Sequence, residues 1–385
     1  MRIAYVCTDP GVPVFGCKGA SVHVQAVVTA LLRRGAEVHL ITARTGGEVP
    51  ADLAGVQVHE ITRARRTDPA EREIACQQAD AEVTGILDQL HAAGPLDLVY
   101  ERYSLWGRAA SAWASAAGVP HLLEVNAPLV SEQARHRVLV DRAGADAVAA
   151  AAISATTAAL CVSDPVADWA RGYAADPARV HTLANGVDTT RITPAPMAAE
   201  DEATFTVGFV GTLKPWHGLP TLLEALALML ADDPSYRLLL VGDGPQREVL
   251  QTLADRLGIS AAIELTGAVE PVAIPAQLHR MQVAVAPYPA GGDFYFSPLK
   301  LQEYLAAGLP TVASAVGNLP AVLGHGRLGV LVEPEEPRKL ADAITALRQD
   351  LLRRRRLGLA GRAEVVAHHD WTAVVERGLA LVGRS

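Results

Sequence analysis

The residues best suited to chemistry fall in one run, Asp293-Phe294-Tyr295-Phe296-Ser297-Pro298-Leu299-Lys300-Leu301-Gln302-Glu303, closed by Gly308 and Pro310. Its punctuation predicts a helix. Ser297 is the N-cap, Pro298 takes the first helical position, Gly308 stands just past the end and Pro310 lies beyond. Lys300 then sits in the first turn, where a cation opposes the helix dipole by roughly 0.3–1 kcal/mol. Glu303 follows it in the less favourable Lys-before-Glu order. Stability alone does not select this arrangement. A bound phosphate does, because free amides, dipole and ammonium converge on one anion. Ser297, Pro298, Leu299 and Lys300 form the expected phosphate turn, Glu303 could accept hydrogen bonds from a ribose, and Asp293 stands just upstream. The plain alternative is a solvated Lys-Glu pair.

Three further loops follow apolar runs. Val210-Gly211-Thr212-Leu213-Lys214-Pro215-Trp216-His217-Gly218 precedes a predicted helix, so Thr212, Lys214 and His217 are placed for a phosphate. Trp216 could cover a sugar or pack into its domain, and packing is the expectation. Gly242-Asp243-Gly244-Pro245 is a turn whose glycines need no functional explanation, although Gly242 would face a ligand. Near the N-terminus, Gly16-Cys17-Lys18-Gly19-Ala20-Ser21 offers Ser21 as a cap, with Gly16 and Gly19 for close backbone approach, or else a flexible turn. It lacks the G-x-G-x-x-G spacing, as does Asp9-Pro10-Gly11, so a dinucleotide oxidoreductase loses ground.

The elements that must carry these loops are short apolar runs alternating with amphipathic stretches. Strands are predicted at Arg2–Thr8, Glu37–Thr42, Leu98–Tyr100, His121–Glu124, Ala158–Val162, Phe205–Val210, Leu238–Val241, Ile263–Leu265, Val283–Ala286 and Thr311–Ala313. Helices are predicted at Ser21–Arg34 and Leu219–Leu230, among others. Near-continuous apolar strands alternating with helices imply parallel sheets covered on both faces. At 385 residues, two cores are expected. The proline-containing, aperiodic stretch 191–202 reads as a linker between domains 1–190 and 203–370. The fold class is therefore α/β, two Rossmann-like doubly wound domains facing across a cleft. Ligands of such sheets bind at the carboxyl ends of the strands.

Bulk properties narrow the function. A formal charge of −8 argues against a nucleic-acid partner. Met1-Arg2-Ile3 runs straight into a strand without the apolar core of a signal peptide. Ala147 to Val162 is interrupted by Ser154, Thr156 and Thr157 and falls short of the ~20 residues of a membrane span. Cys7, Cys17, Cys76 and Cys161 show no metal or redox spacing, so reduced core cysteines and a cytoplasmic location are expected. Arg63-Ala64-Arg65-Arg66 and Arg353 to Arg356 are basic enough for a membrane surface, but a solvated loop and a solvated helix face are favoured. No metal-ligand cluster or D-x-D triplet is present.

Taken in order, these segments make the chain similar to the retaining glycosyltransferases of family 4, which have the GT-B fold. The resemblance rests on Gly16 to His23, Tyr100-Glu101-Arg102-Tyr103-Ser104, Asn185-Gly186-Val187-Asp188, Gly211 to Gly218, Gly242 to Pro245 and Ser297 to Gly308. It implies that Glu303 binds the nucleotide ribose and that Gly16–Gly19 contacts the donor diphosphate. It also implies that Thr266-Gly267-Ala268-Val269 reads the base by its backbone, with Val269 in the donor site, and that the helix from Trp371 (371–385) packs on the first domain. The chain departs from the family pattern in three places. Tyr295 replaces a second glutamate, for which Asp293 is a possible substitute. Thr212 and His217 stand where many members have Arg and Lys. Glu124 and Asn126 occupy the region of a cleft histidine.

What the resemblance implies is a metal-independent hexosyl transfer from a nucleotide-diphosphate sugar, UDP-linked by preference and GDP-linked otherwise, to a small-molecule or lipid-linked acceptor. No cofactor is expected. Lys300 and Lys214 would stabilise the departing diphosphate, and Glu124 is an acceptor-side acid or base or a structural carboxylate. Asn126, Glu101, Arg102 and Tyr103 are the acceptor-side candidates. Two alternatives are carried: a nucleotide-sugar epimerase, which would act on donor without acceptor, and a sugar-binding protein, which would not respond to a nucleoside diphosphate.

Overall fold

The computed structural model describes residues 1–17, 19–196, 203–291, 295, 297 and 299–384. Contacts divide the chain into two units. One holds Met1–Asn185 with Tyr295, Ser297 and Trp371–Ser385; the other holds the remaining stretch from Gly186 to Asp370.

The first unit contains β1 (Arg2–Cys7), β2 (Glu37–Thr42), β3 (Gln57–Glu60), β4 (Leu98–Arg102), β5 (His121–Val125), β6 (Ala158–Cys161) and β7 (Val180–Thr182). All are parallel, in the order β3-β2-β1-β4-β5-β6-β7. Alternation along the strands sends Ile3, Tyr5, Leu40 and Leu98 to one face, under the helices Gly19–Arg33 and Trp371–Ala380. Ala4, Val6, Ile41 and Val99 go to the other, under Pro69–Ala93 and Ala109–Ala117.

The second unit contains β8 (Phe205–Val210), β9 (Tyr236–Val241), β10 (Ile263–Leu265), β11 (Val283–Ala286), β12 (Thr311–Ser314) and β13 (Val330–Val332), again all parallel, in the order β10-β9-β8-β11-β12-β13. Its core sets Val207, Phe209, Leu238 and Leu240 against Leu222, Leu226, Leu340 and Ile344 of the helices Leu219–Asp232 and Pro337–Gln349. Each sheet reverses direction of winding once, between β1 and β4 and between β8 and β11, the positions where doubly wound sheets bind ligands.

Three strands escape the sequence reading: β3, β7 and β13. All are edge strands of three or four residues with few buried side chains. An edge strand lacks the continuous apolar signal because only one neighbour covers it.

The change of unit comes at Asn185–Gly186, ahead of residue 190. Val187 donates its N–H to His369, Thr189 bonds Asp370, and Arg362 donates to the carbonyls of Thr189 and Ile192, which ties 186–192 to the second unit. Of the expected linker, 197–202 lies outside the described residues. Among those described, no helix is long and apolar enough to cross a membrane. Cys7 and Cys161 are buried, Cys76 is half-buried and Cys17 is exposed, so only two of the four are core residues; all four are free thiols. Nor is the run Arg353 to Arg356 uniformly solvated. Arg354 is buried over the Phe205 ring and donates to the carbonyl of Arg348.

Candidate functional site

In the second unit the loops after β8 and β9 are built on each other. Leu213 donates its N–H to the Asp243 carbonyl, and Gln246 returns one to Leu213. Gly242, at φ 133, lies so close that a Cβ there would overlap the Gly211 carbonyl. Gly218, at φ 65, opens the helix Leu219–Asp232, and its Cβ would overlap the Pro287 carbonyl. These glycines are required sterically, as the sequence implies for the Gly242 turn. Gly218→Ala is expected to lower unfolding stability by on the order of 2 kcal/mol through left-handed strain and this overlap, measured by urea denaturation.

Lys300 points into this framework, and its ammonium is buried. It lies 4.3 Å from the Phe209 ring centroid and 5.1 Å from that of Tyr288, at the winding reversal between β8 and β11. It has no hydrogen-bond partner among the described residues. Burial pulls its pKa down to about 7, against the attraction of Glu303. A Cβ on Gly211 would stand 3.3 Å from the ammonium, so the glycine keeps the space over that charge open. Glu303, one turn along the helix Leu299–Ala306, has its carboxyl pushed up by burial and pulled back by Arg191 and Lys300. Arg191 is a neighbour that sequence spacing does not reveal, since 112 positions of chain separate the two residues (303 − 191). Tyr304 fixes the helix by accepting the Val210 N–H at 2.8 Å.

The loop after β8 departs from expectation at two residues. His217 is held neutral here, where the sequence suggested a basic side chain. Burial and the Lys300 charge bring its pKa down to about 3, with a smaller push from Lys214. Its Nδ1 lies 2.6 Å from the Thr212 carbonyl, so in the neutral ring Nδ1 carries the proton and Nε2 is an acceptor. Trp216 does not pack inside. It is 53% exposed, edge-on to His217 and under the Lys214 ammonium at 5.4 Å. Between the loops, the Gly242 N–H is 3.3 Å from the Thr266 hydroxyl, and Val269 is half-buried nearby in sequence. Asp293 and Pro298 lie outside the described residues. Ser297 is buried and groups with the first unit, as does Tyr295, whose hydroxyl bonds Glu132 and whose pKa burial raises to about 12.

In the first unit the helix Gly19–Arg33 begins before Ser21, which is therefore buried within its first turn rather than capping it. Nothing lies within 4 Å of a Cβ built on Gly19, while one on Gly16 would stand 2.9 Å from Pro13. Lys18 lies outside the described residues.

Glu124 is the centre of a buried network at the end of β5. His23 Nε2 lies 2.6 Å and Arg102 Nη1 3.2 Å from Oε1, Tyr100 donates to Oε2 at 3.1 Å, and Asn126 donates to Oε1. Burial would raise the Glu124 pKa, but His23, Arg102 and Asn126 outweigh it and bring it down to about 2. Such a carboxylate is a permanent anion and a poor proton acceptor near neutrality. His23, which packs edge-on against Trp371, is the partner that sequence reasoning missed. Glu101 and Tyr103 are buried. Glu101 faces His121 at 3.0 Å, and Tyr103 packs on Trp169.

A cavity of 460 Å³ opens in the same unit, where the loops after β1, β3, β4 and β5 meet. Thr8, Asp9, Ser104, Trp106, Cys76 and Arg72 are among its walls. Burial pushes the Cys76 thiol up to about 11, which makes it a weak nucleophile.

With this geometry in view, comparison with known proteins is informative. The family described as Glycosyltransferase Family 4 matches residues 18–191, and that described as Glycosyl transferases group 1 matches residues 204–350. A D-inositol 3-phosphate glycosyltransferase of Actinosynnema mirum is 31% identical over 95% of this chain and 92% of its own. A GDP-mannose-dependent alpha-(1-6)-phosphatidylinositol monomannoside mannosyltransferase of Mycobacterium tuberculosis is 30% identical over 52% of this chain and 54% of its own. Among solved structures, sucrose-phosphate synthase from Thermosynechococcus elongatus superposes with a TM-score of 0.71 at 20% identity, covering 99% of this chain and 98% of that one, which establishes a shared fold.

Proposed function

We propose a donor and a mechanism from one premise: this chain belongs to glycosyltransferase family 4. It is a glycosyltransferase with the two Rossmann-like domains of the GT-B class. In our reading it transfers a hexose, with retention, from a nucleoside-diphosphate sugar to a hydroxyl of a small-molecule or lipid-linked acceptor. A UDP-sugar is the first donor to test and a GDP-sugar the second.

The observation that carries this reading is the unpaired ammonium of Lys300, buried beside Gly211. An isolated buried charge is costly without a counter-ion. A diphosphate supplies that counter-ion, and the charge that grows on its leaving oxygen in the transition state is stabilised by a donor already in place. As the bond between the anomeric carbon and the phosphate oxygen breaks, its electron pair goes to that oxygen. The acceptor hydroxyl attacks from the same face and passes its proton to the departing phosphate. Lys300 and Lys214 provide the positive charge for this step, so transfer is expected to persist in EDTA. Glu303 takes the ribose hydroxyls, Val269 and its neighbours take the base, and neutral His217 offers Nε2 as an acceptor to a sugar hydroxyl.

Thermal stabilisation by UDP or GDP, but not by free hexose, tests the donor assignment. Failure of every nucleoside diphosphate to bind overturns it. Glu303→Gln is expected to weaken nucleoside-diphosphate affinity by about tenfold, the value of one hydrogen bond to a charged group, measured by calorimetry.

A further inference from the structure

We propose that Arg191 is the positioning residue for Glu303, presented by the turn 187–192 and held in place by Arg362. This inference rests on the reading of Glu303 as the ribose-binding carboxylate, and it names the groups that keep that carboxylate charged and aimed.

The turn is built locally. The motif Asn185-Gly186-Val187-Asp188 ends on a residue whose side chain closes the chain back on itself. Asp188 Oδ1 accepts the N–H groups of Thr190 and Arg191, each at 3.0 Å, and its carbonyl accepts that of Ile192 at 2.9 Å. This is the local bonding of an Asx turn, which fixes where the next side chain leaves the backbone. Arg191 leaves it toward the donor site. Its Nη1 donates to the Pro271 carbonyl at 2.6 Å, two residues beyond Val269. Its charge also acts on Glu303, where burial raises the carboxyl's pKa and Arg191, ahead of Lys300, brings it back. One guanidinium thus joins the loop assigned to the base and the carboxylate assigned to the ribose. An opposite charge favours the ionised carboxylate, the form that accepts from two hydroxyls.

Arg362, on the helix Leu351–His368, holds the turn against the helix of Glu303. Its Nη1 donates to the carbonyls of Ile192 at 2.7 Å and Ala306 at 2.9 Å, and its Nη2 to that of Thr189 at 2.9 Å. Two of these acceptors bracket Arg191. The third ends the helix Leu299–Ala306, three positions past Glu303. A planar fork bonded to both segments sets their separation, and a cation also suits a helix C-terminus. The clamp itself has little room to slide. A Cβ on Gly358 would overlap the Gly308 carbonyl, and one on Gly361 would stand 2.6 Å from the Leu305 side chain. A brace with a purely structural role would affect every ligand of this unit alike. A positioned charge beside Glu303 acts on the ribose end alone.

Calorimetry on the full chain with UDP, GDP and their 2′-deoxy forms distinguishes the two. The parent should bind its preferred nucleotide about tenfold tighter than the 2′-deoxy form, the value of one hydrogen bond to a charged group. Arg191→Met should cut that preference to about threefold or less, with the 2′-deoxy form bound within about twofold of the parent, because the carboxylate loses its partner charge while the diphosphate contacts stay. Arg191→Lys should recover part of the preference. Arg362→Lys keeps the charge and the fold but loses the planar fork, and should reduce the preference by about half. A preference that survives Arg191→Met, or equal losses for both forms of the nucleotide, overturns the proposal. Glu303→Gln separates this failure from that of the ribose reading. If the parent shows no preference, or Glu303→Gln leaves it unchanged, the ribose reading fails and takes the proposal with it. If Glu303→Gln abolishes the preference and Arg191→Met does not, the proposal alone fails.

Discussion

Lys300→Met is expected to slow sugar transfer by about 10²–10³-fold, the usual effect of removing one preorganised donor to a developing negative charge, while raising the melting temperature of the ligand-free protein. The two effects share one cause. Methionine fills a similar volume between Phe209 and Tyr288 and needs no counter-ion. The lysine, by contrast, enters the folded state at an electrostatic disadvantage, with a pKa near 7 against 10.5 when unfolded. Between those values the unfolded chain binds more protons than the folded one, so stability rises with pH across that window, and the penalty is complete below about 7. The melting-temperature gap between the variant and the parent should therefore be widest near pH 6.5 and shrink by pH 9.

The same shift makes a binding prediction. At pH 8 the free ammonium is largely neutral, and a diphosphate beside it should draw a proton from solution. Calorimetry of UDP in two buffers of different ionisation enthalpy measures that uptake, and Lys300→Met should abolish it. A variant with undiminished transfer, or binding to the parent without proton uptake, would remove Lys300 from the centre of the mechanism.

Glu124→Gln is expected to cost about 3–5 kcal/mol of unfolding stability, the range for deleting one partner of a buried ion pair. The amide keeps the shape but leaves His23 and Arg102 facing a neutral group in a site where all three side chains are largely enclosed. The parent's dependence on acid has a definite sign. The Glu124 carboxyl is near 2 when folded and 4.5 when unfolded, so its contribution is complete above 4.5 and is lost as pH falls toward 2. Urea denaturation at pH 7 and pH 4 checks both statements. A loss under 1 kcal/mol at pH 7 would show that the network is not the anchor of this sheet end. The low pKa also predicts that no neutral-pH limb of the rate profile belongs to Glu124.

The sequence is most informative where local physics and function disagree. A lysine in a helix first turn, ahead of a glutamate, is unfavourable on its own, and this marks Lys300 and Glu303 without any knowledge of the fold. Neighbourhoods are beyond its reach. Nothing in the spacing pairs Arg191 with Glu303, His23 with Glu124, or Phe209 and Tyr288 with the ammonium, because each pair meets only when separate elements pack together. Charge state is hidden for the same reason: His217 reads as a cation in a basic loop and is neutral once enclosed beside Lys300.

By itself, then, the chain's pattern determined two parallel α/β sheets, their central strands and the loops at their carboxyl ends, because continuous apolar runs and Gly/Pro punctuation are local signals. Tertiary structure alone decided which of those loop residues are enclosed and which distant side chains meet, and it supplied the short edge strands. Burial and Coulomb interactions depend on distance in space, and a linear spacing of residues does not encode that distance.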